Sequence, residues 1–242
     1  MAEPVTATAT ETMAHFPLMI ELADRAVVVI GGGQVAARKV STIVEYGAAV
    51  TVIAPELHPD LLALVQAGRI SHRSRPYQEG DLSGFTLVLA ATDDAEINRL
   101  VHAEALSLGV PVNTADRPDL CTFYMPATVR RGELLVAIST GGACPALARA
   151  LRERLETEFL PEGSERLVAA MTLLRKTLLT TSGYEERSRL LRELAADRKL
   201  TGALMAGNLA AAEHLLEERT GLVFDLSELE LSSCNLSSKE EA

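Results

Sequence analysis

A short apolar run that ends in three glycines constrains the fold more than any other feature of this sequence. Residues 25–30 read RAVVVI, and Gly31-Gly32-Gly33 follow directly. An unbroken β-branched run of this length is typical of a strand buried on both faces of a parallel sheet. The next stretch, VAARKVSTIVEYG, repeats apolar residues at helical spacing and stops at Gly47. The pattern therefore predicts a strand, a glycine turn and a helix, in that order.

The same alternation continues from Phe16 to about Pro111. Further apolar runs, AVTVIAP, FTLVLAAT and VPVNTA, are separated by stretches with helical periodicity. Strand–helix alternation at this spacing requires a parallel sheet with right-handed crossover connections. The predicted fold class is therefore α/β, with a Rossmann-type parallel sheet.

The pattern changes after the last of these strands. The stretch TFYMPATVRRGELLVAIST predicts two β runs joined by Arg-Arg-Gly-Glu, as a hairpin-like extension of the sheet. Beyond Pro145 helical signals dominate to about Thr220, which predicts a small C-terminal helical domain. The predicted organisation is a disordered tail (1–15), a Rossmann domain (16–113), a β extension (114–148), a helical domain (149–221) and an acidic disordered tail (222–242).

Composition excludes several classes of protein. Hydrophobic residues make up 48% and charged residues 23% of the 242, as in ordinary globular chains. The longest apolar runs fall far short of the ~20 residues that cross a bilayer, and the first residues lack a signal-peptide pattern. A net charge of −10 argues against general nucleic-acid binding. Three widely spaced cysteines without a CxxC predict no disulfide framework. We therefore expect a cytoplasmic protein without membrane association.

The glycine turn predicts a site for the phosphates of a dinucleotide. Residues 31–36 match G-x-G-x-x-A, in which Gly31 allows the tight turn and Gly33 allows a pyrophosphate to approach the backbone. The start of the following helix offers free N–H groups to the phosphate charge. The acidic residue that should bind the ribose, Glu56, comes slightly late and follows Pro55. No Arg or Lys near it could receive a 2′-phosphate, which favours NAD over NADP; a glycine turn without a ligand is the alternative.

Polar residues follow two other predicted strands. Asp116 comes just after VNTA, at a strand carboxyl end, where α/β sheets bind their ligands. A carboxylate beside a nicotinamide ring can accept a proton as a hydride leaves, although an aspartate here also fits an ordinary turn. Thr92 and Asn113 are candidates for cofactor contacts. Asp93 or Asp94, next to Thr92, fits a helix N-cap equally well.

A second anion-binding turn is predicted near the start of the helical part. The segment Ser139-Thr140-Gly141-Gly142-Ala143-Cys144-Pro145 ends a strand and opens a helix. Arg130, Arg131 and Arg149 are close in sequence and add positive charge. Two anion sites in one acidic chain predict a nucleotide and a second, negatively charged substrate. The five histidines form no HxH or HExxH group, so no metal ligands are expected.

Four stretches, taken in order, carry a resemblance to a known family. They are VVVIGGGQVAARK, LAATDD, VNTADRP and FYMPATVRRGELLVAISTGGACPALAR. Together they resemble the precorrin-2 dehydrogenase/sirohydrochlorin ferrochelatase family, the dehydrogenase module of siroheme synthase, over about residues 16–161. The resemblance implies NAD-dependent oxidation of precorrin-2 to sirohydrochlorin on the way to siroheme.

The resemblance also implies roles for individual residues. Gln34-Val35 and Pro55-Glu56 match the NAD-contacting pairs of the family, and Asp116 matches the aspartate assigned to dehydrogenation. Thr140 stands where some relatives have a phosphorylatable serine.

Other implications concern assembly and a second activity. The sheet extension and helical domain of the family form a homodimer, and some members also insert ferrous iron. Whether this chain does so with Fe²⁺ or Co²⁺ stays open. Without a methyltransferase-like segment, the sequence is expected to represent a stand-alone dehydrogenase or a dehydrogenase/chelatase. The alternative function is a non-catalytic NAD-sensing regulatory module.

Overall fold

The structure, a computed structural model, describes residues 15–227 and 229. These residues form two compact units. The first contains the chain up to residue 125 together with residues 141–143, and the second contains residues 126–140 and the chain from residue 144 onward. Nearly all of the predicted tail 1–15, and residue 228 and residues 230–242 of the predicted acidic tail, lie outside the described residues.

The first unit is a five-stranded parallel sheet with helices, which confirms the predicted Rossmann-type fold. The strand order is β3-β2-β1-β4-β5, with every neighbouring pair parallel. The strands are β1 (Ala26–Ile30), β2 (Ala49–Ile53), β3 (Ile70–Arg73), β4 (Leu87–Ala90) and β5 (Val112–Thr114). The helices are α1 (Gln34–Glu45), α2 (Pro59–Gln66) and α3 (Ala95–Leu108).

The central strand β1 is buried on both faces because its residues alternate between two apolar clusters. Val27 and Val29 pack in one cluster with Val40 of α1. Val28 and Ile30 pack in the other, with apolar residues of α3. Because both faces are buried, the strand has a continuous apolar sequence and not one that alternates between apolar and polar residues.

The segment after β5 folds back onto that strand. The backbone N–H of Thr122 donates to Val112 O at 2.8 Å, and the Thr122 hydroxyl accepts from Val112 N at 2.8 Å. A short 3₁₀ turn, Pro118–Leu120, lies between. These bonds hold residues 115–125 in the first unit, whereas the sequence predicted that the Rossmann domain ends at residue 113.

The second unit begins with a β-hairpin, as predicted. Strands β6 (Ala127–Arg131) and β7 (Leu134–Ile138) are antiparallel, with Val129 opposite Val136. Within the described residues the hairpin is a separate two-stranded sheet and does not extend the parallel sheet, because the chain turns away from β5 through the bonds just described. The helices that follow are α4 (Pro145–Arg154), a π-helical turn (Leu155–Phe159), α5 (Ser164–Thr181), α6 (Tyr184–Ala196), α7 (Arg198–Met205) and α8 (Leu209–Thr220).

The helical unit has its own apolar core. Leu174, Leu204 and Leu216 are buried in it, and so are Phe224 and Leu226. The packed chain therefore continues beyond residue 221, where the sequence predicted the start of an acidic tail. Apolar residues interrupt the acidic ones in this segment, and they supply the burial that a solvated tail lacks.

Among residues 15–227 and 229, no helix has the length and apolar character that a bilayer crossing requires.

Two adjacent leucines of α5 test the core of the helical unit. Leu178 is 1% exposed and Leu179 is 54% exposed. We expect Leu178→Ala to lower the free energy of unfolding by about 2–5 kcal/mol, because it removes buried methyl groups and leaves a cavity. Leu179→Ala, the matched control, should change it by less than about 0.5 kcal/mol. Urea denaturation followed by circular dichroism measures both, and equal effects would contradict the described packing.

Candidate dinucleotide-binding site

The strand order brings the predicted residues of the dinucleotide site and Asp116 to one edge of the sheet. The carboxyl ends of β2, β1, β4 and β5 lie side by side. Backbone bonds connect them: Gly31 N donates to Ile53 O at 3.0 Å, Ala91 N to Ile30 O at 2.8 Å, and Ala115 N to Ala90 O at 2.8 Å. The glycine turn after β1, Thr92 after β4 and Asp116 after β5 therefore lie along the same edge, where open α/β sheets bind ligands.

Gly31 and Gly32 are required by packing within the protein. Gly31 has φ +113°, and a Cβ there would lie 2.3 Å from Ala91 O. A Cβ on Gly32 would lie 1.9 Å from Glu56 O, and Gly32 O accepts a 2.7 Å hydrogen bond from His58 N. The turn can therefore lie against the loops after β4 and β2 only if both positions lack a side chain.

Gly33 differs, because a Cβ there would meet nothing within 4 Å. Its backbone, with φ −79° and ψ −173°, is open to any residue. Gly33 is the N-cap of α1, provides no capping side chain, and is followed by a first turn without an acidic residue. The first N–H groups of α1 therefore face an open position, which suits a phosphate. The glycine turn fits the pyrophosphate of a dinucleotide.

The loop after β2 places Glu56 beside the glycine turn. Its Pro55 O accepts from the Ser74 hydroxyl at 3.3 Å, and Ala54 O is paired with His72 Nε2 at 2.9 Å. The side chain of Glu56 is exposed. These two bonds and the contact with Gly32 hold the predicted Pro55-Glu56 pair next to the glycine turn.

The pairing of β2 with β3 also brings two arginines near the Glu56 loop, which the sequence pattern did not predict. Arg73 stands opposite Ile53 in the β2–β3 register. Its guanidinium lies 3.4 Å from the Asp81 carboxylate, which Arg75 binds with two hydrogen bonds of 2.5 and 2.6 Å. The Arg75 hydrogen bond holds the pKa of Asp81 below its usual value. Both arginines are therefore paired with an ionised carboxylate.

Thr92 and Asp94 shape the start of α3. The Asp94 side chain accepts from Glu96 N at 2.8 Å and from Ile97 N at 3.2 Å, so Asp94 is the N-cap. The Thr92 hydroxyl accepts from Asp94 N at 3.1 Å, and Thr92 O accepts from the Asn98 side chain at 2.9 Å. Asn98 Oδ1 is buried without a hydrogen-bond partner. Thr92 is half-buried at the sheet edge, beside Gly31.

Asp116 occupies a backbone conformation that side-chain-bearing residues rarely adopt. Its φ is +54°, in the left-handed region, and its side chain is exposed. The loop that carries it closes on Cys121, whose Sγ lies 3.2 Å from Thr114 N and 3.3 Å from Thr114 O. Burial raises the pKa of the Cys121 thiol, so the thiol keeps its proton and can donate it to a backbone carbonyl.

Asn113 lies beneath this edge and is already paired. Its Oδ1 accepts from Lys39 Nζ, and its Nδ2 donates to Phe123 O at 3.0 Å and is 3.6 Å from Cys121 Sγ. The predicted contact of this amide with the cofactor would compete with these bonds. Sequence reasoning missed Lys39, although it lies three residues after Ala36 and four before Ile43, both buried, and so on the inner face of α1.

The predicted second anion turn divides between the two units. Gly141 and Gly142, with φ +63° and +84°, belong to the first unit, where a Cβ on Gly142 would lie 3.2 Å from the Tyr124 ring. Ser139 and Thr140 belong to the second unit, where the Thr140 hydroxyl accepts from Cys144 N at 3.1 Å. Helix α4 begins at Pro145, as predicted.

The three arginines predicted for this turn have partners in the second unit. Arg131 Nε donates to Leu160 O at 3.1 Å, and Arg130 Nε donates to Gly132 O at 3.2 Å. Arg149 forms a 2.9 Å ion pair with Glu153 on the surface of α4. The structure thus directs the three side chains to different partners. In the described part of the chain, no three His, Cys, Asp or Glu side chains are grouped as metal ligands.

A Rossmann sheet with an open helix N-terminus after its glycine turn defines a dinucleotide-binding protein. Residues 18–127 match a family described as putative NAD(P)-binding, and residues 131–158 match the central segment of sirohaem biosynthesis proteins. These consecutive matches confirm the resemblance to the siroheme synthase dehydrogenase module that the motifs predict. The first match supports the predicted nicotinamide dinucleotide as the cofactor.

Curated relatives extend this similarity over most of the chain. A siroheme synthase of Methylobacillus flagellatus is 41% identical over 206 residues, which are 85% of this chain and 44% of the relative. A siroheme synthase of Thioalkalivibrio sulfidiphilus is 40% identical over 212 residues, covering 87% of this chain and 43% of the relative. The chain therefore spans less than half the length of these relatives.

A solved structure shares the fold. The protein described as SirC, precorrin-2 dehydrogenase, superposes with a TM-score of 0.69 and 24% identity, over 86% of this chain and 100% of that one. This match confirms the predicted fold class.

Two neighbouring glycines separate packing from ligand binding. We expect Gly33→Ala to change the free energy of unfolding by less than about 1 kcal/mol but to weaken NAD binding about tenfold or more, because its methyl group enters the phosphate position. Gly32→Ala should destabilise the fold by about 1–3 kcal/mol, because its methyl group collides with Glu56 O. Thermal denaturation and calorimetric titration with NAD measure the two effects. Undiminished NAD binding by Gly33→Ala would contradict the assigned phosphate position.

Proposed function

We propose that this protein is an NAD-dependent precorrin-2 dehydrogenase that forms sirohydrochlorin for siroheme synthesis. The observation that carries the proposal is the position of Asp116 on the same sheet edge as the open glycine turn. The similarity to siroheme synthases supports the substrate, and a cytoplasmic location is part of the same proposal.

The cofactor would bind along the sheet edge in this proposal. Gly33 and the first N–H groups of α1 would hold the pyrophosphate, with Gln34 and Val35 beside it and Gly31 at the start of the turn. Pro55 and Glu56 would receive the adenosine ribose. Thr92 lies further along the edge, towards Asp116, and would contact the nicotinamide half.

The residues near the ribose support NAD over NADP. Glu56 is exposed beside the glycine turn, and a carboxylate there accepts from ribose hydroxyls but repels a 2′-phosphate. Arg73, the last residue of the neighbouring strand β3, and Arg75, two residues further on, are engaged by Asp81. A 2′-phosphate would have to compete with that carboxylate for either guanidinium.

Oxidation of precorrin-2 removes two hydrogens from the macrocycle, one as a hydride and one as a proton. The bound nicotinamide supplies the hydride acceptor. The proposed role of Asp116 is to accept the proton, or to steer the substrate into place for the transfer. Its exposed carboxylate at the strand end can do either, and solvent can then take the proton from it.

The carboxylates of the tetrapyrrole require positive groups or free N–H donors. We assign this role to the segment that contains Ser139, Thr140, Gly141 and Gly142. The left-handed conformations of the two glycines and the N-terminus of α4 that follows support it. Arg130, Arg131 and Arg149 would contribute charge only by exchanging the partners they have now.

A homodimer is part of the proposal. In the described residues, β6 and β7 form a sheet without a third strand. Natural proteins usually cover or extend the edges of so small a sheet. Light scattering on the purified protein should give twice the mass of the 25.9 kDa chain, and a monomer would overturn this part.

Insertion of ferrous iron into sirohydrochlorin is a second candidate activity, supported by the motif resemblance. The metal ion would be a substrate in this reaction. Incubating the protein with sirohydrochlorin and Fe²⁺ or Co²⁺, corrected for the spontaneous rate, tests it. NAD binding without any oxidation of precorrin-2 would instead favour an NAD-sensing module.

Substitution of Asp116 tests the dehydrogenase proposal. Asn tolerates the left-handed backbone at this position, so Asp116→Asn removes the charge without straining the turn. We expect NADH production from precorrin-2 to fall by about 10²-fold or more, the usual contribution of general acid–base catalysis. NAD affinity and thermal stability should stay close to those of the wild type.

Asp119→Asn is the matched control for this experiment. Asp119 lies in the same loop and is exposed, with a 2.6 Å ion pair to Arg117. Its substitution should leave the rate of NADH production within about twofold of the wild type, as for other surface changes. Full activity of Asp116→Asn would remove Asp116 from the mechanism.

Comparing the two dinucleotides tests the assignment of the ribose site. We expect kcat/KM to be higher with NAD than with NADP. Glu56→Gln should lower the ratio of kcat/KM with NAD to kcat/KM with NADP by about tenfold or less. The substitution removes the repulsion of only a single exposed charge. A wild-type preference for NADP would contradict the role of Glu56.

A further inference from the structure

A polar cluster beneath the sheet edge ties the two halves of the proposed site together. Lys39, half-buried on α1, donates a hydrogen bond to buried Asn113 on β5, 74 residues away in sequence. Helix α1 is the helix whose N-terminus faces the phosphate position, and β5 leads into the loop with Asp116. This bond is therefore a direct link between the dinucleotide helix and the Asp116 loop.

Asn113 extends this link into the loop. Its Nδ2 donates to Phe123 O at 3.0 Å and lies 3.6 Å from Cys121 Sγ. The Sγ of Cys121 in turn forms hydrogen bonds with the backbone N–H and C=O of Thr114, two residues before Asp116. The loop is closed at its base by these contacts. Such a closed base can sustain the left-handed backbone of Asp116, which otherwise costs free energy.

The charge of Lys39 acts on the same residues. Burial lowers the pKa of Lys39, and Arg38 lowers it further, whereas Cys121 and Asp116 act in the opposite direction. For Cys121 the influence is mutual: burial raises the pKa of its thiol, and Lys39 counteracts that rise. The ammonium therefore lies within electrostatic reach of both the thiol and the proposed catalytic carboxylate.

We propose that Lys39 is a positioning residue for the Asp116 loop, which it holds through Asn113 and supplies with a positive charge. The proposal rests on the proposed function for the role of the loop in catalysis. It gives Lys39 no contact with NAD or with the tetrapyrrole. Loss of Lys39 should therefore affect turnover and leave the affinity for NAD nearly unchanged.

The ionisation of the Cys121 thiol reports the charge of Lys39, and it can be measured without any ligand. The chain has three cysteines, so Cys144→Ser with Cys234→Ser leaves Cys121 as the single thiol. In this background the variants separate charge from hydrogen bonding: Lys39→Met removes both, Lys39→Gln keeps an amide donor, and Lys39→Arg keeps the charge. Lys199→Met, an exposed lysine of α7, is the control. The measured quantity is the midpoint of the pH profile of iodoacetamide alkylation.

We expect the midpoint to rise by about half a pH unit or more in Lys39→Met and Lys39→Gln, because a neutral side chain no longer stabilises the thiolate. It should stay within about 0.2 units in Lys39→Arg and Lys199→Met. If both neutral variants keep the wild-type midpoint, the charge that we assign to Lys39 is refuted. The Gln variant keeps the test valid if Lys39→Met fails to fold.

Steady-state kinetics test the positioning role. In Lys39→Met, kcat for precorrin-2 oxidation should fall about tenfold or more, since small misplacements of catalytic groups are costly. The KM for NAD should stay within about twofold, and Lys39→Arg should recover most of the loss. A lower melting temperature with unchanged kcat would overturn the positioning role. Failure of the wild type to oxidise precorrin-2 would refute the proposed function, while the thiol titration would still decide the charge of Lys39.

Discussion

The close packing of the glycine turn against its two neighbouring loops is the constraint on which the site depends. Strand β1 is buried between β2 and β4, so the chain that leaves it must pass between the loops that follow those strands. Contacts at Gly31 and Gly32 leave no room for a Cβ. Because the turn is held so tightly, Gly33 and the start of α1 are presented outward at a fixed place. The proposed anion site is thus a consequence of how tightly the glycine turn packs against the loops after β2 and β4.

A second constraint acts at the other end of this edge. The loop after β5 is closed by Asn113, Cys121 and Thr122 through side-chain and backbone hydrogen bonds. This closure brings Asp116 to the surface in a conformation that a free loop would rarely adopt. Rigid positioning of an exposed carboxylate is what a proton acceptor beside a bound ring needs.

Some of the groups along this edge could be predicted from the sequence, and others could not. The glycine turn and Asp116 follow directly from local patterns, since each comes just after a recognisable strand. The role of Lys39 could not be assigned in that way. Its partner Asn113 is 74 residues away on β5, and only the tertiary structure brings the two side chains together. The end of the Rossmann domain after β5 also could not be predicted from the local pattern. A polar loop that folds back onto its strand has the same kind of sequence as a linker between domains.

The sequence by itself determined the Rossmann class, the dinucleotide turn, the hairpin and the candidate aspartate, because burial on both faces and glycine-dependent turns leave strong local signatures. Tertiary structure alone decided that the hairpin forms its own sheet and that Phe224 and Leu226 pack with the helices. It also decided that Asn113 is held by Lys39 and that the predicted arginines have other partners. These outcomes depend on which distant groups compete for each hydrogen bond and each apolar surface, and a linear pattern does not contain that competition.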